Sequence, residues 1–251
     1  MIHEILENNV LTIVIDRVDK KNALIPKMYN DMAIALENAS ATAKVVLIKG
    51  EGGCFTAGND VAEFVKSVEQ GAGEVNETYR FMQALLKCPL PVVAQVEGLA
   101  IGIGSTLLLH CDFVLCHETT KFAMPFINLG LVPEYASSYI VPRVGGHLQA
   151  CELLMLGNTF DAKKAKACGF VTSLHGADLY AAVNGLVESL SKKPASALQQ
   201  TKALLKHNQN EVAKHIDDEL KIFVEAMQAP PAKEAFSAFL EKRAVNADIF
   251  K

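Results

Sequence analysis

Several features that would announce a function outright are missing from this sequence of 251 residues. Its six cysteines, Cys54, Cys88, Cys111, Cys116, Cys151 and Cys168, form no Cys-x-x-Cys pair, and no His-Glu-x-x-His occurs. No structural or catalytic zinc is expected on that pattern. Scattered cysteines of this kind fit free thiols in a reducing cytoplasm, each a small buried apolar residue. Positive charge is also scarce, with 24 Lys and Arg against 28 Asp and Glu. Basic residues come no denser than pairs such as Lys20-Lys21 and Lys163-Lys164, so a nucleic-acid partner is not expected. The longest uncharged apolar run, Gly98 to Leu109, is too short to cross a bilayer. Met1 to Glu7 carries acidic residues and no apolar core, and does not read as a signal peptide.

What is present is core material. Half of the residues are apolar, enough for one large domain or a domain with an appendage. Residues 2–16 read as a hairpin turning at Asn8-Asn9. Pro26 opens a helix with Met28, Met32, Ala35 and Leu36 on one face. Val45-Val46-Leu47-Ile48 reads as a buried strand. Helix is expected from Val61 to Lys66 and from Glu74 to Lys87, with a break at Gly71 and Gly73. Strands follow at 91–97 and 112–116, with a short extended piece at 121–125. Leu129 to Tyr135 reads as a loop. Helices are expected at about 147–156 and 161–167, a strand at 170–174, and a helix at 177–191. After Pro194 only helices are expected, at about 196–207, 211–228 and 231–245. The reading is an α/β body over 1–193 and a helical region over 194–251. Strand spacing shows no fixed period.

The centre of the chain is Leu99-Ala100-Ile101-Gly102-Ile103-Gly104-Ser105-Thr106, between a buried strand and a short apolar helix. Glycine permits a tight turn and close backbone approach. A helix start offers unpartnered N–H groups with partial positive charge. This turn is a candidate oxyanion site with the N–H of Ile103 as donor; the other reading of the same residues is a Gly-rich turn packed in the core.

Five segments, in order, resemble the crotonase superfamily, the enoyl-CoA hydratase/isomerase family. They are Lys21-Asn22-Ala23-Leu24, Phe55-Thr56-Ala57-Gly58-Asn59-Asp60, Val96 to Gly102, Leu129-Gly130-Leu131-Val132-Pro133-Glu134 and Ala235 to Arg243. The resemblance spans nearly the whole chain. It implies a spiral of β-β-α turns, an acyl-CoA thioester substrate, no cofactor beyond the CoA of the substrate, and a homotrimer or dimer of trimers built partly by the helical tail. It also implies that the N–H groups of Asn59 and Ile103 hold the thioester oxygen. Lys21, Ala23, Leu24, Ala57, Asp60, Gly102 and Phe126 are the expected substrate and CoA contacts.

Hydratases of the family carry two glutamates, and the matching positions here are Thr106 and Phe126, neither of which titrates near neutral pH. Glu134 matches the catalytic glutamate of peroxisomal-type Δ3,Δ2-enoyl-CoA isomerases. The resemblance therefore implies double-bond migration by one carboxylate, in fatty-acid degradation. Other crotonase-fold reactions, on ring-epoxide or dienoyl thioesters, weak hydration, and non-catalytic acyl-CoA binding are the alternatives. His110 reads as a core or helix-end residue, Asp60 and Asp112 as caps or turn braces, and Thr106 as the partner of a helix-start donor. Lys242 and Arg243 read as a solvated helix face or, less directly, as contacts to a CoA phosphate. The apolar residues Phe223, Phe236 and Phe239 of the tail are expected to be exposed on an isolated chain.

Overall fold

A computed structural model of the protein describes residues 1–70 and 73–250. The break expected at Gly71 lies outside the described residues. The chain opens with the antiparallel hairpin of β1 (Ile2–Glu7) and β2 (Val10–Ile15). Asn8 and Asn9 both take positive φ at its turn, a conformation that asparagine tolerates. Then come α1 (Pro26–Thr42), β3 (Val45–Gly50), α2 (Val61–Gln70), α3 (Gly73–Lys87) and β4 (Val92–Val96). Next are β5 (Leu99–Ile101), α4 (Ile103–Thr106), which runs on as a 3₁₀ turn over Leu107–His110, β6 (Phe113–His117) and β7 (Lys121–Ala123). A 3₁₀ turn at Phe126–Leu129 leads to α5 (Ser137–Gly145), α6 (His147–Leu156), β8 (Phe160–Asp161), α7 (Ala162–Ala167), β9 (Ser173–His175) and α8 (Leu179–Ser191). Three helices end the chain: α9 (Ala195–Leu205), α10 (Gln209–Gln228) and α11 (Pro230–Glu241).

Six strands form one sheet in the order β1-β2-β3-β4-β6-β9, parallel from β2 onward, and three form a second in the order β5-β7-β8. Strand β4 hands over to β5, and β6 to β7, within a few residues. The segment after β3 joins the same layer through a parallel bridge between Thr56 and Ala100. Successive turns therefore stack as a spiral. Strand starts at Val45, Val92 and Phe113 are unevenly spaced because α2 and α3 fill one turn and only a short helix fills the next. This is why the repeat was invisible in the spacing.

Alternation along the strands separates two cores. Val45 and Leu47 of β3 pack with Val93, Leu115 and the α8 residues Leu179, Val183 and Val187. Val46 and Ile48 face the main core with α1 and α3. Burial on both faces explains the continuous apolar run of β3.

Several boundaries differ from the sequence reading. The stretch 137–145 is helix α5, hidden by the Ser137-Ser138 start and by Pro142 inside it. The strand expected over 170–174 is confined to Ser173–His175, and α11 stops at Glu241, where Lys242 turns left-handed. Asp112 ties the starts of β4 and β6 together, its carboxylate accepting from the Val92 N–H at 2.8 Å. It also pairs with the buried Lys202 of α9 at 2.6 Å, whose Nζ donates to the Leu90 carbonyl as well. A buried ammonium is tolerated only when so partnered.

The helical region is not a free tail. Val212, Ile216, Phe223, Met227, Ala232 and Phe236 belong to the main core. The expectation that Phe223, Phe236 and Phe239 would be exposed holds only for Phe239, at 59%. The apolar faces of α10 and α11 are spent on their own chain. We expect Phe223→Ala and Phe236→Ala each to lose about 3–5 kcal/mol in urea unfolding, and Phe239→Ala to change stability by no more than about 0.5 kcal/mol. Equal, small effects at all three positions would contradict this packing.

Candidate active site

The two amides singled out from the sequence are brought to one place by close backbone approach. Leu24 forms a parallel bridge with Asn59, its N–H bonding to the Gly58 carbonyl and its carbonyl accepting from Asp60 N–H. In that pattern the intervening Asn59 N–H points away from Leu24. Gly58, at φ 87°, lies so near the Ile101 carbonyl that a Cβ would stand 2.6 Å from its oxygen. Only glycine fits there. Across this contact, Gly102 at φ 56° donates to the Ala123 carbonyl and turns the chain into α4, of which Ile103 is the first residue. The Ile103 N–H belongs to the set that a helix cannot satisfy internally. Among the described residues, neither the Asn59 nor the Ile103 N–H meets a protein acceptor.

Asn59 and Ile103 both line a cavity of about 670 Å³. Of the residues chosen from the sequence, Ala23, Ala57, Asn59, Asp60, Gly102, Ile103 and Phe126 line it. Lys21 and Leu24 do not: Lys20 borders the cavity instead, and Leu24 is a core residue turned to Asn59. The opposite wall is supplied by the same chain's Phe223, Phe236, Phe239, Leu240 and Arg243. The Phe126 and Phe223 rings meet edge to face at 6.4 Å. Arg243 is already held by Glu234 through two bonds, at 2.5 and 3.0 Å, and by Glu241 at 2.6 Å. The Arg243 hydrogen bonds, helped by the Asn246 N–H and by the guanidinium charge, push the Glu234 carboxyl down to about 2.

Glu134 does not border this cavity. It is 5% exposed, and its Oε1 accepts a hydrogen bond from the Thr106 hydroxyl. Thr106 therefore does not serve a helix-start donor, as the sequence suggested; it anchors the carboxylate one helical turn beyond Ile103. Burial pushes the Glu134 carboxyl up to about 8, the Thr106 bond opposes this, and repulsion from Glu219 adds to it. The following Tyr135 and Ala136 both lie in the left-handed region, at φ 58° and 57°. Such residues persist where their surroundings over-determine them. The Tyr135 hydroxyl donates to the Met82 carbonyl at 3.0 Å. His110 donates from Nε2 to the Tyr135 carbonyl at 2.8 Å and stacks on its ring. Burial lowers the His110 imidazole to about 3, so it is a neutral prop and not a base.

Supporting residues went unnoticed in the sequence. Asn22 sits inside a motif read for its flanking residues, yet its side chain fastens the Glu51 and Cys54 carbonyls, and its own carbonyl accepts from Thr56. Tyr29 donates its hydroxyl to the Asn59 side chain. Asp60 braces as expected, accepting from Ala62 and Glu63 N–H groups and pairing with Arg17 at 2.7 Å. Glu219 left a readable trace: Val212, Ile216, Glu219, Phe223 and Met227 are the buried residues of α10. A glutamate on an apolar stripe is a signal that periodicity alone can find.

A carboxyl whose pKa is raised in the folded state favours folding below its unfolded value and loses that contribution as pH rises through the folded value. For Glu134 the window runs from the ordinary 4.5 to about 8. Glu134→Gln removes the penalty, so we expect its melting temperature to exceed that of the native protein near pH 8 and the gap to close toward pH 4.5. A gap that does not depend on pH would show that Glu134 is not held in this environment.

Residues 6–248 match the Enoyl-CoA hydratase/isomerase family. Enoyl-CoA delta isomerase 2 of Rattus norvegicus is 32% identical over 219 residues, covering 85% of this chain and 56% of that protein. The chain thus spans little more than half the length of that relative. The 1,2-epoxyphenylacetyl-CoA isomerase of Escherichia coli (strain K12) is 29% identical over 95% of this chain and 94% of that protein. The solved structure of OdaA from Pseudomonas aeruginosa superposes with a TM-score of 0.90 at 42% identity, covering 95% of this chain and 98% of that one. Among the described residues no helix is long and apolar enough to cross a membrane, and no three His, Cys, Asp or Glu side chains group as a metal site. With its stacked β-β-α turns and a match that runs over residues 6–248, the chain belongs to the crotonase, or enoyl-CoA hydratase/isomerase, family.

Proposed function

We propose that this protein moves a double bond from position 3 to position 2 of an enoyl-CoA. The observation that carries the reading is a buried carboxyl, Glu134, tuned to about 8 and anchored a turn from the Ile103 amide. The thioester oxygen is held by the N–H groups of Asn59 and Ile103. Glu134 takes a proton from C2, and the C–H electrons pass into a dienolate whose charge rests on that oxygen. The same proton returns at C4, leaving the double bond between C2 and C3. No water is consumed, so Thr106 and Phe126 suffice where a hydratase needs carboxylates. Two aimed donors suit this charge; one is worth about 3 kcal/mol in comparable sites. Side-chain movement on binding brings Glu134 to the substrate, since catalytic contacts commonly tighten only in the complex. The pantetheine passes the loops 21–24 and 55–60, and no metal or redox cofactor takes part. The reading places the protein in fatty-acid degradation, and six unpaired cysteines suit the reducing cytoplasm.

A second reading, isomerisation of a ring-bearing acyl-CoA by the same carboxyl, is favoured by the aromatic wall of Phe126, Phe223, Phe236 and Phe239 and by the even coverage of the Escherichia coli relative. Turnover of 3-hexenoyl-CoA, ring-epoxide thioesters and 2-enoyl-CoA hydration measured side by side separates the readings. We expect 3-enoyl migration to be fastest. Glu134→Gln should lower kcat by about 10²–10⁴-fold while leaving binding nearly intact. The rate kcat/KM should rise with pH through about 8 as Glu134 ionises. Thr106→Val should move that limb to higher pH, because it deletes the bond that lowers the carboxyl. Full turnover in Glu134→Gln, or hydration as the fastest reaction, would sink the assignment.

We also propose a trimer or dimer of trimers, supported by exposed Leu148, Met155, Leu204 and Leu205, which the chain's own helices leave uncovered. Light scattering at micromolar concentration should give three or six times the chain mass; a stable monomer would refute it.

A further inference from the structure

We infer that Glu219 is a positioning residue for this reaction: its carboxylate, from α10, sits in the backbone amides that open α5, fixes the loop carrying Glu134, and keeps a second negative charge beside it. The inference rests on Glu134 as the acid/base.

Glu219 is 7% exposed. Its Oε1 accepts from the Ser138 N–H at 2.9 Å and from the Ser138 hydroxyl. The amides of Ala136 and Ser137 also face the carboxylate. Successive N–H groups around a left-handed residue make an anion-holding concavity, and here it lies at the positive end of a nine-residue helix. Oε2 is buried and has no hydrogen-bond partner among the described residues. An apolar side chain on the α10 stripe would avoid the desolvation that this carboxylate suffers, so packing gives no reason for it.

The surroundings give one. Glu134, Tyr135 and Ala136 run directly into α5, and two of the three hold left-handed backbone. His110 and Met82 secure the loop through Tyr135. Past Ala136 the side chain that reaches the backbone from another element is that of Glu219. Ser137 completes the link by donating through its N–H and hydroxyl to the Glu134 carbonyl, at 3.1 and 2.7 Å.

The other ionisable groups around the pair are spoken for. His110 is neutral, and burial pushes the Cys111 thiol up to about 12. From α5, Tyr139 donates to Glu211 and stacks on His215. From α3, Tyr79 donates to Asp217, and on α11 Glu234 is paired with Arg243. Removing the Glu219 charge is therefore felt chiefly by Glu134.

Two variants separate positioning from charge. Glu219→Gln keeps an acceptor for the Ser138 donors and removes the charge. Its kcat should stay within about tenfold of native, and the rising limb of kcat/KM should move to lower pH by on the order of one unit, opposite to the shift in Thr106→Val. Glu219→Leu completes the apolar stripe and leaves the amides empty. It should lower kcat by on the order of 10²-fold with KM little changed, as a small misplacement of a catalytic group does. A merely structural role would move the melting temperature alone. An unmoved limb in Glu219→Gln overturns the inference, whether or not Glu219→Leu folds. Glu134→Gln is assayed alongside. If it retains turnover, the proposed function fails and takes this inference with it. If it is inactive while both Glu219 variants match the native enzyme, only the role of Glu219 falls.

Discussion

The site depends on how closely two turns of the spiral approach each other. Gly58 lies against the Ile101 carbonyl, and a Cβ on Gly104 would stand 2.5 Å from Thr56 Cγ2. The parallel bridge between Thr56 and Ala100 sets this separation. Because of it, Asn59 in one turn and Ile103 in the next line a single cavity. Any side chain at Gly58 would part the turns and aim the donors at different points. Main-chain donors need no particular side chain, so asparagine and isoleucine are compatible with the oxyanion role proposed for these positions.

Around these amides the protein accepts polar burial that a purely structural core avoids. Glu134, Glu219, His110 and Thr106 are all buried. Desolvation raises the Glu134 carboxyl to about 8, a range that suits the acid/base role proposed for it. The same desolvation weakens the fold above pH 4.5, a familiar conflict between activity and stability. The left-handed pair Tyr135 and Ala136 belongs to this arrangement. It swings the chain out of the Pro133-Glu134 loop directly into α5, so the carboxyl is carried at a rigid junction.

The C-terminal helices close the site from the other side. Phe223 and Phe236 are both core residues and cavity wall. Gly130, beside the Phe126 turn, is in close contact with the backbone at Pro231 and Ala232. Folding of the last helices and shaping of the pocket are thus one event. The body and the helical region share a single core.

The sequence by itself determined most of the elements and marked the candidate amides. Uninterrupted apolar runs make strands buried on both faces, and glycine at 58, 102 and 104 is legible because no other residue tolerates such turns and approaches. Glu134 was legible through the company of its loop motif. The tertiary structure decided what depends on distant partners. Asn22, Tyr29 and Thr106 have small or ordinary polar side chains whose worth lies in which carbonyl or carboxylate they meet, and no local pattern encodes that. Helix α5 was obscured because Ser137, Ser138 and Pro142 resemble a loop, and its first amides are capped by Glu219 from 81 residues away. Whether Phe223 and Phe236 cover their own chain or a neighbour was likewise beyond periodicity, which marks an apolar face without naming its partner. The return path of α10 over α5 and the Phe126 turn settles it, because burying those rings within one chain leaves them no apolar surface to offer another.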